Sequence, residues 1–341
     1  MAMTGLTTGS TFTAALARAA VALAGCVALL APLDAAAQSA AGTRRIGFIN
    51  IGPAALNTEN VAAFRAGLAE LGHVEGRNLV IDFRWADNKA EQLPALAAEL
   101  LALKPDVILS TGGPVVARAV KAATTTVPVV FITNDPVFEK LVTSMAKPGG
   151  NLTGVGSLAN SLDAKRLELL QQLVPRARRV AVIWNPNHAY GEALLTDIEA
   201  AGKRLGLTLL PWRVSHRAQL EAAFAEIAAA KPDALFVVAD AVLGFERVRI
   251  VELAHSARLP AMYFWREFAK LGGMASFGTS LPAAYHRTAS YVDRIFKGAK
   301  PGDLPVEQPT TFEFVINLKA AKAIGVDIPQ TMRQRADEVI E

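Results

Sequence analysis

Residues 127–135 read VPVVFITND, an apolar run that stops in Thr133, an amide at Asn134 and a carboxylate at Asp135, with Pro136 next. Other apolar runs end in the same kind of chemistry. RIGFINI (45–51) carries Asn50, and DVILSTG (106–112) runs into Ser110-Thr111-Gly112-Gly113. RVAVIWN (179–185) ends in Asn185, with Asn187 and Tyr190 just beyond; ALFVVAD (234–240) ends in Asp240; PAMYFW (260–265) ends in Trp265, between Tyr263 and Arg266. These residue types suit recognition of a small polar molecule. A two-glycine turn before Pro114 opens a helix whose first N–H groups are unpaired and favour an anion such as a carboxylate. Asp135 and Asp240 can accept from an ammonium, and Tyr190 and Trp265 offer a ring surface.

Each of these residues also has a plainer reading. The 110–113 turn can be a tight strand-to-helix connection, Asp135 and Asn187 can cap the helices that follow, and Tyr263 can be core. Asp240 closes an apolar strand, where a carboxylate is costly unless it is paired or wetted.

The elements that must hold these ends alternate in type. Strand-like runs at 45–51, 78–86, 106–112 and 127–133 enclose helical stretches near 55–71, 91–103 and 114–123. Near-continuous Val/Ile/Leu strands with crossover helices predict a parallel sheet covered on both faces. The pattern restarts after Pro148-Gly149-Gly150. Helices near 161–173, 190–205, 217–230 and 244–257 interleave with strands at 179–185, 207–214, 234–240, 260–265 and 273–278. A helix near 282–296, an exposed connection at 297–309 and a last strand and helix follow. The predicted fold class is therefore α/β, with two Rossmann-like lobes of parallel strands joined by crossover segments. In such sheets ligands sit beyond the carboxyl ends of the strands, where the polar residues cluster.

Length and composition set the remaining bounds. A chain of 341 residues, 52% hydrophobic and 19% charged, is globular and long enough for two cores. The net charge of +4 has no basic run behind it, which argues against a nucleic-acid partner. Residues 1–37 read as a secretory signal: no acid before residue 19, an apolar core at 19–33, and small residues before Gln38. The mature chain is expected in the periplasm. Leu23-Ala24-Gly25-Cys26 also fits a lipobox, which would anchor the chain by lipid on Cys26, although the apolar run continues past it. Cys26 is the single cysteine, so no disulfide or thiol chemistry is expected in the folded part.

Enzyme signatures are missing. After the first strand comes Gly52-Pro53-Ala54-Ala55 in place of G-x-G-x-x-G, and neither a phosphate loop nor a G-x-S-x-G elbow occurs. The five histidines are scattered. No cofactor, no metal and no enzymatic activity are expected.

Three segments carry a family resemblance. NDPVFEKLVTSMAKPGGNLTGV (134–155), REFAKLGGMASFG (266–278) and the tail YVDRIFKGAKP (291–301), running on through DLPVEQPTTFEFVINLKAAKAIGVDIP (303–329), resemble ABC transporter substrate-binding proteins of the tryptophan/tyrosine type. The resemblance spans essentially the whole mature chain. It implies a type I periplasmic-binding-protein architecture, with lobe one at 44–154 and about 280–310, and lobe two at 158–278 and about 311–330. It implies a small-molecule ligand in the cleft, an aromatic amino acid or a related carboxylate, an inner-membrane ABC permease as partner, and a monomer. On that basis NDP is the lip of the cleft and PGGNLTG leads into the first crossing, with its glycines absorbing hinge motion. A sensory protein of the same fold is the other reading.

Overall fold

The computed structural model describes residues 1–2, 42–157, 160–188 and 191–341. Tyr190, Cys26 and residues 3–37 of the signal segment lie outside these residues.

The first sheet is built from β1 (Arg44–Asn50), β2 (Leu79–Trp85), β3 (Val107–Thr111), β4 (Val129–Asn134) and β5 (Leu152–Ser157), in the order β2-β1-β3-β4-β5. All its pairings are parallel. The crossovers are α1 (Thr58–Glu70), α2 (Leu93–Ala102) and α3 (Pro114–Ala123). Central strands β1 and β3 read as unbroken apolar runs because helices cover both of their faces. One face packs Phe48, Phe64, Val107 and Val130; the other packs Ile49, Ile108, Val120 and Phe131.

The second sheet uses β6 (Arg179–Trp184), β7 (Thr208–Arg213), β8 (Ala234–Val237), β9 (Ala261–Tyr263), β10 (Ala275–Thr279), β11 (Phe312–Asn317) and β12 (Glu338–Ile340). Its order is β12-β11-β10-β9-β8-β6-β7. Edge strand β7 has no buried residue and tolerates Pro211, as an edge permits. Its helices are α4 (Asp163–Leu173), α5 (Gly191–Arg204), α6 (Leu220–Ala230), α7 (Ala241–Phe245), α8 (Arg247–Ser256) and α9 (Arg266–Lys270). After β10 the chain returns to the first lobe as α10 (Leu281–Phe296), then comes back through β11, α11 (Leu318–Ala323) and α12 (Gln330–Arg335).

Helix α10 starts at a Ser280 cap with Pro282 in its first turn, and buries Tyr285, Ala289 and Val292 in the first lobe's core. This detour explains one departure from the all-parallel expectation. The chain re-enters the second lobe from the opposite end, so β11 pairs antiparallel with β10.

Three more details differ from the sequence reading. The segment after Asn134 is a series of turns, because Asp135 at φ +22° and Lys140 at +54° break helical geometry. The stretch expected as one helix at 244–257 is two, α7 and α8, meeting at Glu246. Residues 301–307 are partly buried: Leu304 and Val306 pack inward while Thr153 Oγ1 donates to the Leu304 carbonyl and Gly156 N–H to that of Glu307. The chain's return path is thereby fastened to β5. Gly149, at φ +80°, forms a turn ahead of β5, with its N–H donating to the Gly302 carbonyl.

Candidate ligand-binding site

Strand ends from both sheets meet around a cavity of about 70 Å³. From the first lobe come Asn50, Asn57, Asn60, the Gly112-Gly113 turn, Asn134 and Tyr285; from the second come Asp240, Phe245, Arg247, Phe264, Trp265 and Glu267. The lobes touch here. Arg247 Nη2 donates to the Leu56 carbonyl at 2.6 Å, and Lys270 Nζ lies 2.8 and 2.9 Å from the two Glu59 carboxylate oxygens. Gly52 leaves room for Phe245: a β-carbon there would lie 2.8 Å from its ring. A second cavity of about 320 Å³ shares Asn134 and Ser157 with the first and adds Asp135, Asn160, Asp197 and Gln308.

The residues singled out from sequence fall into distinct places. Asn50, Gly112, Gly113, Asn134, Asp240 and Trp265 line the smaller cavity. Asn50 faces Thr111 in register, and its amide donates to Thr111 Oγ1 at 2.8 Å and Tyr285 Oη at 3.2 Å while its oxygen accepts the Gly52 N–H at 2.6 Å. Thr111 is wholly buried behind Asn50 and passes its own hydroxyl to the Ile49 carbonyl. Together they shape the floor of the site. Burial pushes the Tyr285 phenol up to about 12.

Gly112 and Gly113 both hold positive φ, and a β-carbon on Gly112 would lie 2.9 Å from the Ile51 side chain. Only glycine fits this turn. It delivers the chain to the start of α3, where no side chain caps the first N–H groups. This is the anion-compatible end of the cavity.

Asp240 caps α7. Its Oδ1 accepts from Val242 N–H at 2.8 Å and Leu243 N–H at 3.2 Å, and the Asn185 amide bridges both carboxylate oxygens at 3.1 and 3.2 Å. Asn185 in turn accepts the Asn187 N–H at 2.9 Å, so these three residues form one chain of bonds. Burial raises the Asp240 pKa, opposed by the Asn185 bond and by nearby His188. Asp135 uses Oδ1 to accept the Phe138 N–H and sits on the larger cavity. Tyr263 is core, stacked on Phe268 at 4.6 Å. Arg266 pairs with Glu313 and Glu338 and thereby ties α9 to the C-terminal strands.

Several lining residues escaped sequence reading. Asn57, Asn60, Phe245, Arg247, Glu267 and Tyr285 lie on helices or the turns before them, away from the strand ends that drew attention. Arg247 is buried, donating to Gly244 and Leu56 carbonyls. Glu267 lies in the REFAKLGGMASFG segment that carries the family resemblance, but as a first-turn acid of α9 its placement is explained equally well by the helix dipole. Neither of its carboxylate oxygens contacts solvent or accepts from another described residue, and burial raises its pKa against the pull of Arg247.

Ring-bearing side chains, the glycine turn that opens α3 and a buried carboxylate line one cavity, groups whose chemistry suits a small polar ligand. Comparison with known proteins agrees. A tyrosine-binding protein of Clostridioides difficile is 26% identical over 264 residues, 77% of this chain and 75% of that protein. A conserved domain protein of Vibrio cholerae superposes with a TM-score of 0.79 at 26% identity, covering 87% of this chain and 99% of that one. An ABC domain of Streptococcus pneumonia in complex with L-Trp has the same TM-score at 24% identity, covering 88% of this chain and all of that one, a likeness of fold. Residues 51–340 match the family described as ABC transporter substrate binding protein, and the chain, two α/β lobes of type I periplasmic-binding-protein architecture, belongs to that family.

Proposed function

We propose that this protein is the solute-binding component of an ABC importer and closes its lobes on an aromatic amino acid. The observation that carries this reading is the cavity at the interlobe strand ends, lined by Phe245, Phe264, Trp265 and Tyr285 together with the Gly112-Gly113 turn and the carboxylates of Asp240 and Glu267. The Gly112-Gly113 turn and the start of α3 receive the ligand carboxylate, with Asn134 beside them. Trp265 and Phe245 flank the ring. Asn50, Thr111, Asn185, Asn187 and Asp240 hold the cavity in shape through the bonds described above, and Asp135 borders its outer chamber. The tyrosine-binding relative and the L-Trp-bound structure favour an aromatic ligand. On this reading the chain acts in the periplasm, as a monomer, and hands its ligand to an inner-membrane permease. Among the described residues no helix is long and apolar enough to cross a membrane.

Closure is a population shift, because a ligand that touches both lobes binds only the closed form fully. Purified protein should melt at higher temperature with tryptophan, tyrosine or phenylalanine, by about 2.7 kcal/mol of added stability at a hundred times Kd. Shifts produced only by sugars or aliphatic acids would overturn the aromatic assignment.

A further inference from the structure

We propose that Glu267 is the ammonium-recognising group of the cavity and that, at pH values where its carboxyl is protonated, binding of an amine-bearing solute releases that proton to solvent. The inference rests on the amino-acid reading above and names the group that selects the amine. Its basis is a difference between the two carboxylates that line the cavity. Asp240 is committed to two backbone N–H groups and the Asn185 amide. Glu267 has both oxygens buried, and its own backbone N–H, too poorly aligned to count as a full bond, is the sole donor near them among the described residues. A buried carboxylate left in that state is costly, and a native fold keeps one only where something else completes it.

Asn60 of α1, contributed by the first lobe, also has an unused acceptor. It is buried, lines the cavity, and its Oδ1 accepts from no described residue. Three acceptor atoms, two from the second lobe and one from the first, match the three N–H donors of a primary ammonium. An ammonium bonded to both residues would therefore bridge the lobes, and selection of the amine and closure would be one event.

The charged and titratable groups around Glu267 do not replace that ligand. Arg247 of α8 faces it but donates to the Gly244 and Leu56 carbonyls. Arg266, on the same short helix, is held by Glu313 and Glu338, and Lys270, one turn on, by Glu59. Tyr285 of α10 is bonded to Asn50, and Glu59 of α1 opposes ionisation. Desolvation dominates, so the carboxyl is held protonated further up the pH scale than an exposed glutamate. When R–NH₃⁺ enters, the carboxyl O–H bond breaks, the proton leaves to water, and the resulting carboxylate pairs with the ammonium. Charge and atoms balance with no further reactant.

Isothermal calorimetry on the full chain, in two buffers of different ionisation enthalpy, tests this with L-tryptophan, leucine and indole-3-propionate (tryptophan without its amine). Tryptophan binding to wild type should release up to one proton below neutral pH, and Kd should fall by up to about tenfold per pH unit as pH rises there. Glu267→Gln should weaken tryptophan binding by about tenfold to a hundredfold and abolish proton release. Its melting temperature reports whether it folds, and Asn60→Leu gives an independent loss from the other lobe. Indole-3-propionate binding as tightly as tryptophan, or Glu267→Gln binding tryptophan unchanged, would overturn the proposal and leave the aromatic reading standing. Leucine binding in place of tryptophan, with proton release that depends on Glu267, would support the proposal and sink the aromatic reading. Failure of every amine to bind would overturn both.

Discussion

Gly244→Ala separates the shape of the cavity from the stability of the fold. Gly244 lies in α7, where a β-carbon would sit 2.3 Å from Trp265 Cζ3 and 2.9 Å from Cη2. Ordinary carbon contacts are about 3.5–4.0 Å, so the indole has to retreat by more than about 1 Å. The atoms in conflict are the far edge of a half-buried ring that borders open space, so the ring can swing into the cavity with little backbone movement. Overpacking costs about 1–3 kcal/mol, and the gain in helix propensity on replacing glycine returns up to about 1 kcal/mol. The net loss of stability should lie between about 0 and 3 kcal/mol, toward the low end because the ring has open space to swing into. Affinity for tryptophan should fall by about tenfold or more, since each tenfold is only about 1.4 kcal/mol of lost contact. Urea denaturation and calorimetry on one preparation read the two quantities. Gly154→Ala is the control: there a β-carbon would lie 2.1 Å from the Phe131 backbone oxygen inside the sheet, and the chain should fail to fold stably. Unchanged affinity in a folded Gly244→Ala protein would refute the claim that Trp265 walls the ligand.

Other predictions follow from the buried polar groups. Asp240→Ala removes the α7 cap and strands the Asn185 amide, so it should cost roughly 2 kcal/mol or more in urea denaturation, with Asp240→Asn costing less; equal stability of Asp240→Ala and wild type would disprove the capping role. Arg166 is fully buried and pairs with Asp163 at 2.6 Å, so Arg166→Met alone should lose about 3–5 kcal/mol, and adding Asp163→Leu should recover much of it. Burial raises the Glu267 pKa above its unfolded value, so its stabilising proton is fully present below the unfolded pKa and is lost as pH rises through the folded one. Without ligand, the melting temperature of wild type should therefore drop relative to Glu267→Gln as pH increases from about 4 to about 8, since model carboxyls titrate near the bottom of that range. A constant difference across that range would contradict the raised pKa.

The sequence by itself determined the layering. Strand runs such as VILST and VVFIT are apolar without alternation, so each had to be sandwiched between helices, and the helical stretches between them supplied the crossovers. That reasoning located strand ends, and with them Asn50, Gly112, Gly113, Asn134, Asp240 and Trp265, because the ends of parallel strands open on the same side of a sheet. Local chemistry also marked the positive-φ turn at Gly112-Gly113 and the Pro114 helix start. What each polar group does was decided only by tertiary contact. Asp135 and Asp240 are the same residue type at similar strand ends, yet one closes a turn and the other caps a helix while holding Asn185. Arg247 and Glu267 sit on helices with nothing in their local sequence to set them apart. They become site residues because the strand ends of both sheets meet at one cavity, where Arg247 reaches the Leu56 carbonyl and Glu267 and Asn60 line the same space. Burial and partner count are properties of that assembled cleft, and no window of neighbouring residues contains them.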